Sequence, residues 1–555
     1  MKLVFTVVCA ASLLLGGAPT CWSQTRQKQK LTASDGEPGD WFGYSVGISP
    51  TLAVVGARAD DDLGSFAGSA YVFDLKTGAE LHKLLASDGQ AGDAFGRMAD
   101  VDGNISVIGA PLHDGLGSNS GATYVFDIET GVEIFLLQAS DGSAGDFFGW
   151  PAIDAGRVVI GASGDDDLGS ESGSSYVFNA TTGSPLRKLT ASDGAPGDGF
   201  GAPVALEAGY ALIGAIGADD LGTDSGSAYV FDVESGVQLR KLTPSDGGPG
   251  DRFGWSAATD GSRAVVGAPN KGAGAAYVFD LETGLELFKL AASDGVSGDE
   301  FGRTVALWKQ RIVVGADRSD DFGADSGSVY VFDLGTGQEL FKLNASDSQA
   351  GDRFGVTVAA SSGMALIAAF TDDDMGVDSG SAYVFDITVD CNGNGIDDST
   401  DIEAGSSEDT DSDGVPDECQ CNVQPYCETS PNSVGPGARI RGFGEPRIGS
   451  VDFRIEAALC PPRQFGVFFF GPIQTQFPFG DGWRCIGGGL TRLFPVQRVG
   501  DGGSASMFLE TTVPPLDAVR SLTTLNFQFW YRDPKPVGFG FNLSDGLEVT
   551  FCPTL

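Results

Sequence analysis

Histidine is nearly absent from this 555-residue sequence, which contains only His82 and His113. This scarcity excludes most acid–base catalysis by imidazole and most histidine-based zinc sites. Basic residues are also scarce, because 34 Lys and Arg face 75 Asp and Glu and give a formal net charge of −41. Phosphate backbones and anionic lipid surfaces would repel such a chain, so we expect neither nucleic acid nor a membrane surface as a partner.

Long apolar runs are missing after the first 20 residues, so no later segment predicts membrane insertion. At the N-terminus, Lys2 precedes the apolar run 3–18, which is too short to span a bilayer. This pattern predicts a signal peptide over residues 1–23, with Cys21 leaving a lipoprotein signal as the alternative. We therefore expect a protein that is secreted or lies on the cell surface.

Cysteine is absent between residues 24 and 390. In an exported protein, cysteines confined to the C-terminal third predict local disulfide bonds there, and their odd number leaves one thiol without an assigned partner. These seven are Cys391, Cys419, Cys421, Cys427, Cys460, Cys485 and Cys552.

Glycine is abundant, with 82 residues, and most of the chain up to residue 386 is a repeat. Each copy has Phe-Gly, then an apolar run ending in Gly-Ala, then Tyr-Val-Phe; the seventh copy has Ile367-Ala368-Ala369 in place of the Gly-Ala run. Phe-Gly begins at Phe42, Phe95, Phe148, Phe200, Phe253, Phe301 and Phe354. Tyr-Val-Phe begins at Tyr71, Tyr124, Tyr176, Tyr229, Tyr277, Tyr330 and Tyr383.

Four short segments per copy, rich in Val, Phe and Tyr and separated by Gly and Asp turns, predict a four-stranded antiparallel sheet. Both faces of these strands are apolar, so each sheet needs neighbours on both sides, as in a ring of blades. The last copy lacks its fourth strand, whereas residues 29–35 match the fourth-strand segment 187–193 at six of seven positions. The fold class is therefore all-β, with a seven-bladed propeller over residues 24–389 that residues 28–34 close.

The combination of Phe-Gly, Gly-Ala and Gly-Ser-Ala-Tyr-Val-Phe resembles the FG-GAP repeat of integrin α-chain propellers and of many exported bacterial proteins. The resemblance implies a propeller that acts as a recognition platform. One departure matters: integrin-type blades often carry a DxDxDG calcium loop between Phe-Gly and Gly-Ala-Pro, whereas the link here is short, as in residues 45–51. No blade calcium sites are therefore carried over.

Acidic clusters follow the Gly-Ala segment in five copies. They have two interpretations: a ring of cation or ligand contacts on one rim, or aspartates that hold turns and keep the surface soluble. The second is favoured because the clusters lack the alternating spacing of a metal-binding loop. The clusters are 60–62, 165–167, 219–220, 320–321 and 372–374.

The segment 390–420 predicts two calcium-binding loops with a glycine at position 6 of each. The pair is similar to dockerin and thrombospondin type 3 calcium repeats, with the placement of Cys419 favouring the latter. The twelfth position of the second loop is Gln420, so the first loop should bind calcium more tightly. The ligands of the first loop are Asp390, Asn392, Asn394, the Ile396 carbonyl, Asp398 and Asp401. Those of the second are Asp409, Asp411, Asp413, the Val415 carbonyl and Asp417.

Residues 421–555 lack the repeat and predict a separate disulfide-stapled β-sandwich. Alternation of apolar and polar residues over 451–456, 525–529 and 547–549 predicts half-buried strands. Segments such as 477–480 and 527–533 resemble a C-terminal module common in exported planctomycete proteins, which implies no particular function.

These patterns predict a secreted, calcium-binding, non-catalytic adhesion or surface-interaction protein whose partner is an extracellular protein or glycan. One alternative is a propeller glycoside hydrolase, which needs only two carboxylates at a defined separation. Against it, the conspicuous aspartates recur around the ring, and only blade five clearly breaks the repeat, at residues 269–273. The other alternative is a dockerin-like docking subunit, but residues 402–407 offer barely one helical turn after the first loop.

Overall fold

Short segments rich in Val, Phe and Tyr form strands throughout the described part of the chain, as their β-branched and aromatic side chains favour. The computed structural model describes residues 26–389, 397–407 and 423–551, the last range with gaps at 445, 447, 449–452, 512, 517–518, 520–522 and 536–537. The chain divides into two units between Thr388 and Val389. No helix among the described residues is long and apolar enough to cross a bilayer.

The first unit consists of seven four-stranded antiparallel sheets, which confirm the predicted seven blades. Blade 1 contains β2 (Phe42–Ile48), β3 (Leu52–Ala57), β4 (Ser69–Asp74) and β5 (Glu80–Leu84). Blade 2 contains β6 (Met98–Asp102), β7 (Ile105–Ala110), β8 (Ala122–Asp127) and β9 (Val132–Leu137). Blade 3 contains β10 (Phe148–Asp154), β11 (Arg157–Ala162), β12 (Ser174–Asn179) and β13 (Pro185–Leu189).

The remaining blades follow the same strand order, and blade 7 takes its fourth strand from the N-terminal end of the propeller. Blade 4 contains β14 (Phe200–Glu207), β15 (Tyr210–Ala215), β16 (Ser227–Asp232) and β17 (Val237–Leu242). Blade 5 contains β18 (Ser256–Thr259), β19 (Arg263–Ala268), β20 (Ala275–Asp280) and β21 (Glu286–Leu290). Blade 6 contains β22 (Thr304–Trp308), β23 (Arg311–Ala316), β24 (Ser328–Asp333) and β25 (Glu339–Leu343). Blade 7 contains β26 (Thr357–Ser361), β27 (Met364–Ala369), β28 (Ser381–Asp386) and β1 (Gln27–Leu31).

The ring of blades is closed. The first strand of each blade contacts the first strands of both neighbours, including β2 against β26. In blade 7, β1 pairs antiparallel with β28, so that Lys30 lies opposite Tyr383 and Leu31 opposite Ala382. The predicted closure is confirmed, although the strand covers Gln27–Leu31 rather than residues 28–34. Closure removes the free edge that a three-stranded blade would expose.

Two glycines in six of the seven repeats let neighbouring blades approach closely, as blades 1 and 2 show. A Cβ added to Gly56, the glycine of Gly-Ala, would lie 2.0 Å from the carbonyl oxygen of Gly96. A Cβ added to Gly68, whose φ is +85°, would lie 2.0 Å from the carbonyl oxygen of Phe95. Any other residue would collide with the next blade, so these positions require glycine.

The core lies between adjacent blades and is built from the repeated aromatic residues. In blade 1 the ring centroid of Phe42 lies 5.5 Å from that of Tyr71 and 5.9 Å from that of Phe73, both edge to face. The same two contacts recur in the other six blades. The Phe-Gly and Tyr-Val-Phe motifs are therefore packing motifs.

The second unit contains the helix α1 (Asp398–Ala404), a seven-stranded sheet, a three-stranded sheet and a hairpin. The seven-stranded sheet comprises β29 (Val423–Tyr426), β32 (Phe465–Gly471), β35 (Thr491–Arg492), β36 (Gln497–Arg498), β38 (Thr523–Arg532), β39 (Phe541–Leu543) and β40 (Gly546–Phe551). The three-stranded sheet comprises β30 (Arg439–Phe443), β31 (Arg454–Ala458) and β37 (Ala505–Phe508). The hairpin comprises β33 (Ile473–Phe479) and β34 (Gly482–Gly487). One apolar core joins the two larger sheets, with Ile455 on β31 and Phe527 on β38 both fully buried.

The cysteines described in this unit agree in part with the predicted disulfide framework. Cys427 and Cys485 form a disulfide bond. Cys460 is free and buried, and burial raises the pKa of its thiol to about 12. Such a thiol is unreactive at neutral pH. Cys391, Cys419, Cys421 and Cys552 lie outside the described residues.

Candidate functional site

The acidic clusters of the propeller lie in networks with a lysine and a tyrosine of the same blade. In blade 3, the Nζ of Lys188 lies 2.9 Å from Asp141 Oδ2, 2.9 Å from Asp165 Oδ2 and 2.5 Å from Asp167 Oδ2. The Tyr176 hydroxyl donates to Asp141 Oδ1 and to Asp165 Oδ2, both at 2.8 Å. The three carboxylates are close enough to hold a metal ion, but the lysine ammonium already lies against all three. Lysine is therefore the cation of this cluster.

The network recurs with the repeat. The lysine on the fourth strand contacts the aspartate of the Asp-Gly turn in six blades, through Lys83, Lys188, Lys241, Lys289, Lys342 and Lys30. Hydrogen bonds from Lys188 and Tyr176 outweigh burial and hold the pKa of Asp165 below its usual range. Asp60 shows the same direction of pKa shift, with Lys83 as its cation. These contacts support the interpretation that the clusters are structural.

Blades 2 and 5 lack parts of this lysine–aspartate network, and in each the replacing residues leave fewer carboxylates without a cation. In blade 2 the lysine is replaced by Leu136, and the first aspartate of the cluster is replaced by His113, whose Nε2 lies 3.4 Å from Asp88 Oδ2. In blade 5 the cluster is replaced by Lys271, whose Nζ lies 2.7 Å from Asp251 Oδ2. Residues 269–273, where the repeat is broken, thus supply an ion pair in place of the acidic cluster.

Other positions of the repeat differ between blades, and several of these line the central channel of the propeller. The first strands of the seven blades surround a cavity of about 1200 Å³. Its lining near the Phe-Gly end is set by three positions: the residue before Phe-Gly, the residue after it, and the residue after Gly-Ala. These positions vary from copy to copy while the motifs around them do not. Because the residues at these three positions vary while the packing motifs do not, the positions are available to form a binding site.

We call this end of the channel the arginine mouth. Three aromatic residues and three arginines from blades 1, 2, 3, 5 and 6 line it, and a fourth arginine, Arg58, lies over the ring of Tyr44. Exposed carboxylates of Glu171 and Asp224 also border it. Its members are Tyr44, Arg58, Arg97, Trp150, Arg252, Trp255 and Arg303.

Each arginine of the mouth lies over an aromatic ring. The Cζ of Arg58 is 4.1 Å from the ring centroid of Tyr44, and that of Arg97 is 5.5 Å from Trp150. Two arginines lie over Trp255, with the Cζ of Arg252 at 5.7 Å and that of Arg303 at 4.9 Å from the ring centroid. Such stacking orients a guanidinium while leaving its edge N–H donors available.

Three of the four arginines have no carboxylate partner. Within residues 26–389, Arg58, Arg97 and Arg252 form no salt bridge, whereas Arg303 lies 3.2 Å from Glu300. Burial lowers the pKa of Arg58, and the neighbouring charge of Arg97 acts in the same direction. In a chain with 75 acidic residues, unpaired guanidiniums that repel each other mark a place where an anion would be stabilised.

The opposite end of the channel is acidic. It is formed by the hairpin turns after the first strands and carries Asp102, Asp154, Glu207 and Asp260. Desolvation and the charges of neighbouring carboxylates raise the pKa of Glu207 to about 7. Asp102 Oδ2 accepts a hydrogen bond of 2.9 Å from the amide of Ala155 on the next blade, so part of this group links blades. We call this end the acidic mouth.

A model of the FG-GAP repeat family matches the chain seven times, at residues 25–73, 79–126, 133–178, 185–231, 237–279, 286–332 and 338–385. The matches cover more than half of the sequence. The chain belongs to the FG-GAP repeat family. Each match begins near the fourth strand of one blade and ends in the third strand of the next, as the closure by β1 requires. A comparison with curated proteins finds no match.

FG-GAP propellers are typical of non-enzymatic recognition proteins of the cell exterior, which agrees with a recognition or adhesion platform. The arginine mouth is the part of this FG-GAP propeller that the sequence analysis missed. Apart from Arg252 and Trp255, which are three positions apart, its residues are 14 or more positions apart along the chain, and most lie on different blades, so no local motif contains them all. The sequence feature that indicates these residues is the variation, from copy to copy, of the positions next to Phe-Gly.

The predicted calcium ligands lie in the second unit and are described only in part. Asp398 and Asp401 are buried in the first turn of α1, and the amide of Asp398 donates to the carbonyl oxygen of Val389 at 2.7 Å. The helix thus begins inside the first predicted loop and ends at Ala404, so the helical part that follows Asp401 is barely one turn, as predicted for residues 402–407. Carboxylates at a helix N-terminus are favoured by the helix dipole. The ligands outside the described residues are Asp390, Asn392, Asn394, Ile396, Asp409, Asp411, Asp413, Val415 and Asp417.

The second unit also has a cavity of its own, of about 700 Å³. It is lined mainly by apolar side chains, including Phe469, Phe479 and Trp530, together with Arg484 and Arg492. The Cζ of Arg492 lies 5.6 Å from the ring centroid of Trp530.

Proposed function

We propose that this chain is a secreted, non-catalytic recognition protein that binds an extracellular protein or glycan at the arginine mouth of its propeller. The observation that supports the proposal most directly is the set of three guanidiniums, Arg58, Arg97 and Arg252, without carboxylate partners. Arg311, by contrast, lies 3.4 Å from the carboxylate of Asp333.

The test is capture of partners from culture medium and cell-surface extract by the immobilised full chain. Replacing Arg58, Arg97 and Arg252 together with Gln should abolish the captured set, because the mouth loses three of its four guanidinium groups and keeps its shape. The matched control replaces Arg157, Arg187 and Arg240, which removes the same charge from the outside of the propeller. If both variants capture the same partners as the wild type, the mouth is not the recognition site.

We also propose that the segment 390–420 binds calcium. The spacing of oxygen side chains supports this proposal, and so does a helix that starts at Asp398, since EF-hand-type loops run into a helix near their last ligands. Calorimetric titration should show binding that Asp390→Ala weakens at the first loop. The control Asp374→Ala removes a carboxylate of the propeller and should leave calcium binding unchanged.

A propeller glycoside hydrolase stays the alternative, because the acidic mouth supplies carboxylates that differ between blades. Glu207, with a pKa raised to about 7, has the property of a general acid. Hydrolysis of a polysaccharide that Glu207→Gln abolishes would favour this enzyme over a recognition protein. A dockerin-like docking subunit is favoured by no contact among the described residues.

A further inference from the structure

Resting on the function proposed above, we propose that the arginine mouth binds an anionic carbohydrate, with carboxylate or sulfate groups on the arginines and sugar rings on the aromatic faces. The two parts of this ligand correspond to the two kinds of side chain that alternate around the mouth. The ligand class follows from charge, from ring geometry and from the shape of the cavity.

The charge of the mouth selects an anion. Arg58 and Arg97 come from neighbouring blades, and their charges are close enough for that of Arg97 to help lower the pKa of Arg58. An oxyanion between them would relieve this repulsion. Guanidinium groups bind carboxylate and sulfate oxygens through two parallel N–H donors, so planar anionic groups fit better than a single atomic ion.

The aromatic residues select a ligand with apolar faces as well as charge. Tyr44, Trp150 and Trp255 are half-buried, so each ring retains exposed surface. The C–H face of a sugar ring packs against such a surface while its substituents reach sideways to hydrogen-bond donors. Trp255, between Arg252 at 5.7 Å and Arg303 at 4.9 Å, offers a ring face flanked by two guanidiniums.

The cavity is concave and deep, and its volume of about 1200 Å³ slightly exceeds the roughly 300–1,000 Å³ of ordinary ligand sites. A few linked sugars would fill it. The acidic mouth at the other end repels anions, so an anionic chain would be held at the arginine mouth instead of passing through. An extended acidic peptide is the competing occupant, but its charges are on flexible side chains and it presents no rigid ring faces.

Tryptophan fluorescence of the full chain tests the proposal, because Trp150 and Trp255 lie in the mouth. The probes are oligogalacturonate, a sulfated dextran oligomer, a neutral dextran oligomer of matched length and hexaglutamate. We expect saturable quenching by one or both anionic sugars, at least tenfold weaker binding after Arg97→Gln, and unchanged binding after the control Arg157→Gln. A response to oligogalacturonate alone identifies a carboxylated sugar, and a response to sulfated dextran alone identifies a sulfated one.

Three results would overturn the proposed ligand class: equal binding of the neutral oligomer, equal or tighter binding of hexaglutamate, or no saturable response to either anionic sugar. Loss of binding that Trp255→Phe causes while Arg97→Gln does not would likewise exclude an anion-dependent site. These outcomes are separate from the capture experiment above. Capture that depends on the three arginines would stand even if no anionic sugar binds, and recognition at the mouth would then involve another ligand.

Discussion

The acidic clusters of the propeller have lysine partners, whereas the acidic segment 390–420 contains no basic residue of its own. In the propeller, Lys188 contacts three carboxylates of blade 3, and Lys83 does the same in blade 1. The segment 390–420 has 11 Asp and Glu and not one Lys or Arg. An aspartate cluster that a lysine already contacts is therefore weak evidence for a metal site, and the calcium proposed for 390–420 concerns a segment whose own sequence supplies no such lysine.

The largest effect should come from opening the ring on which the propeller networks depend. Deleting residues 26–31 removes the buried Leu31, the ladder to β28 and the lysine of blade 7, Lys30. We expect a loss of about 4 kcal/mol in the free energy of unfolding. Thermal unfolding followed by circular dichroism measures it, with Lys28→Ala on the same strand as the control. A melting temperature equal to that of the wild type would contradict closure by β1.

A smaller effect should follow from removing one lysine. Lys188→Met leaves Asp141, Asp165 and Asp167 without a cation, and Asp165 is buried. We expect a loss of about 2 kcal/mol, less than for a fully buried pair because Lys188 is partly exposed. The matched control is Lys28→Met, whose partner Asp386 lies 2.9 Å away in a more exposed pair and whose loss should cost about 0.5 kcal/mol or less.

The natural blade 2 refines this second prediction. It has Leu136 in place of the lysine and His113 in place of the buried aspartate. Combining Lys188→Leu with Asp165→His should therefore recover part of the stability that Lys188→Met loses, because the buried carboxylate is gone. A double variant less stable than the single one would show that the lysine does more than neutralise charge.

The sequence predicted the blades, the closing strand and the motif positions, because each copy repeats the same apolar pattern and the missing strand reappears at residues 29–35. It did not predict the contact of Lys188 with Asp165, since the two lie 23 residues apart, with Asp165 in the loop after β11 and Lys188 on β13. The sequence does contain one indication of this contact, because blade 2 replaces both the lysine and the aspartate, with Leu136 and His113. The arginine mouth required the ring itself, because only the ring brings Arg58, Arg97 and Trp150 to one opening.

The pH dependence of stability should reflect a third group of aspartates, those just before Phe-Gly. Burial raises the pKa of Asp352 to about 6, against an ordinary value near 3.9. A raised pKa means that the native state favours the protonated carboxyl, so stability should fall as pH rises from about 4 through 6. The lysine-paired aspartates act oppositely, because their lowered pKa values mean that stability is lost only as pH falls below about 4. We therefore expect propeller stability to be maximal near pH 4 and to decline toward pH 6.

The variant Asp352→Asn checks this dependence. The amide of Gln349 donates to Asp352 Oδ2 at 2.6 Å, and an asparagine oxygen can still accept this bond without charge. We expect a gain on the order of 1 kcal/mol at pH 8 and a smaller gain at pH 4.5. The exposed Asp373→Asn serves as the control. A gain that is equal at both pH values would assign the effect to packing and not to the titration of Asp352.

The smallest expected effect is the most direct test of the comparison between the two regions. Adding a calcium chelator should leave the thermal transition of the propeller unchanged, because lysine ammonium groups occupy its acidic clusters and no chelator removes them. The same treatment should make the segment 390–420 sensitive to proteolysis, since its carboxylates would repel one another without a cation. Limited proteolysis with mass spectrometry locates the cleavage sites, and calorimetry of the same sample follows the propeller.

A propeller transition that shifts with the chelator would mean that blade clusters bind calcium despite Lys188 and Lys83. Cleavage of 390–420 that is the same with and without calcium would remove the difference between the two regions.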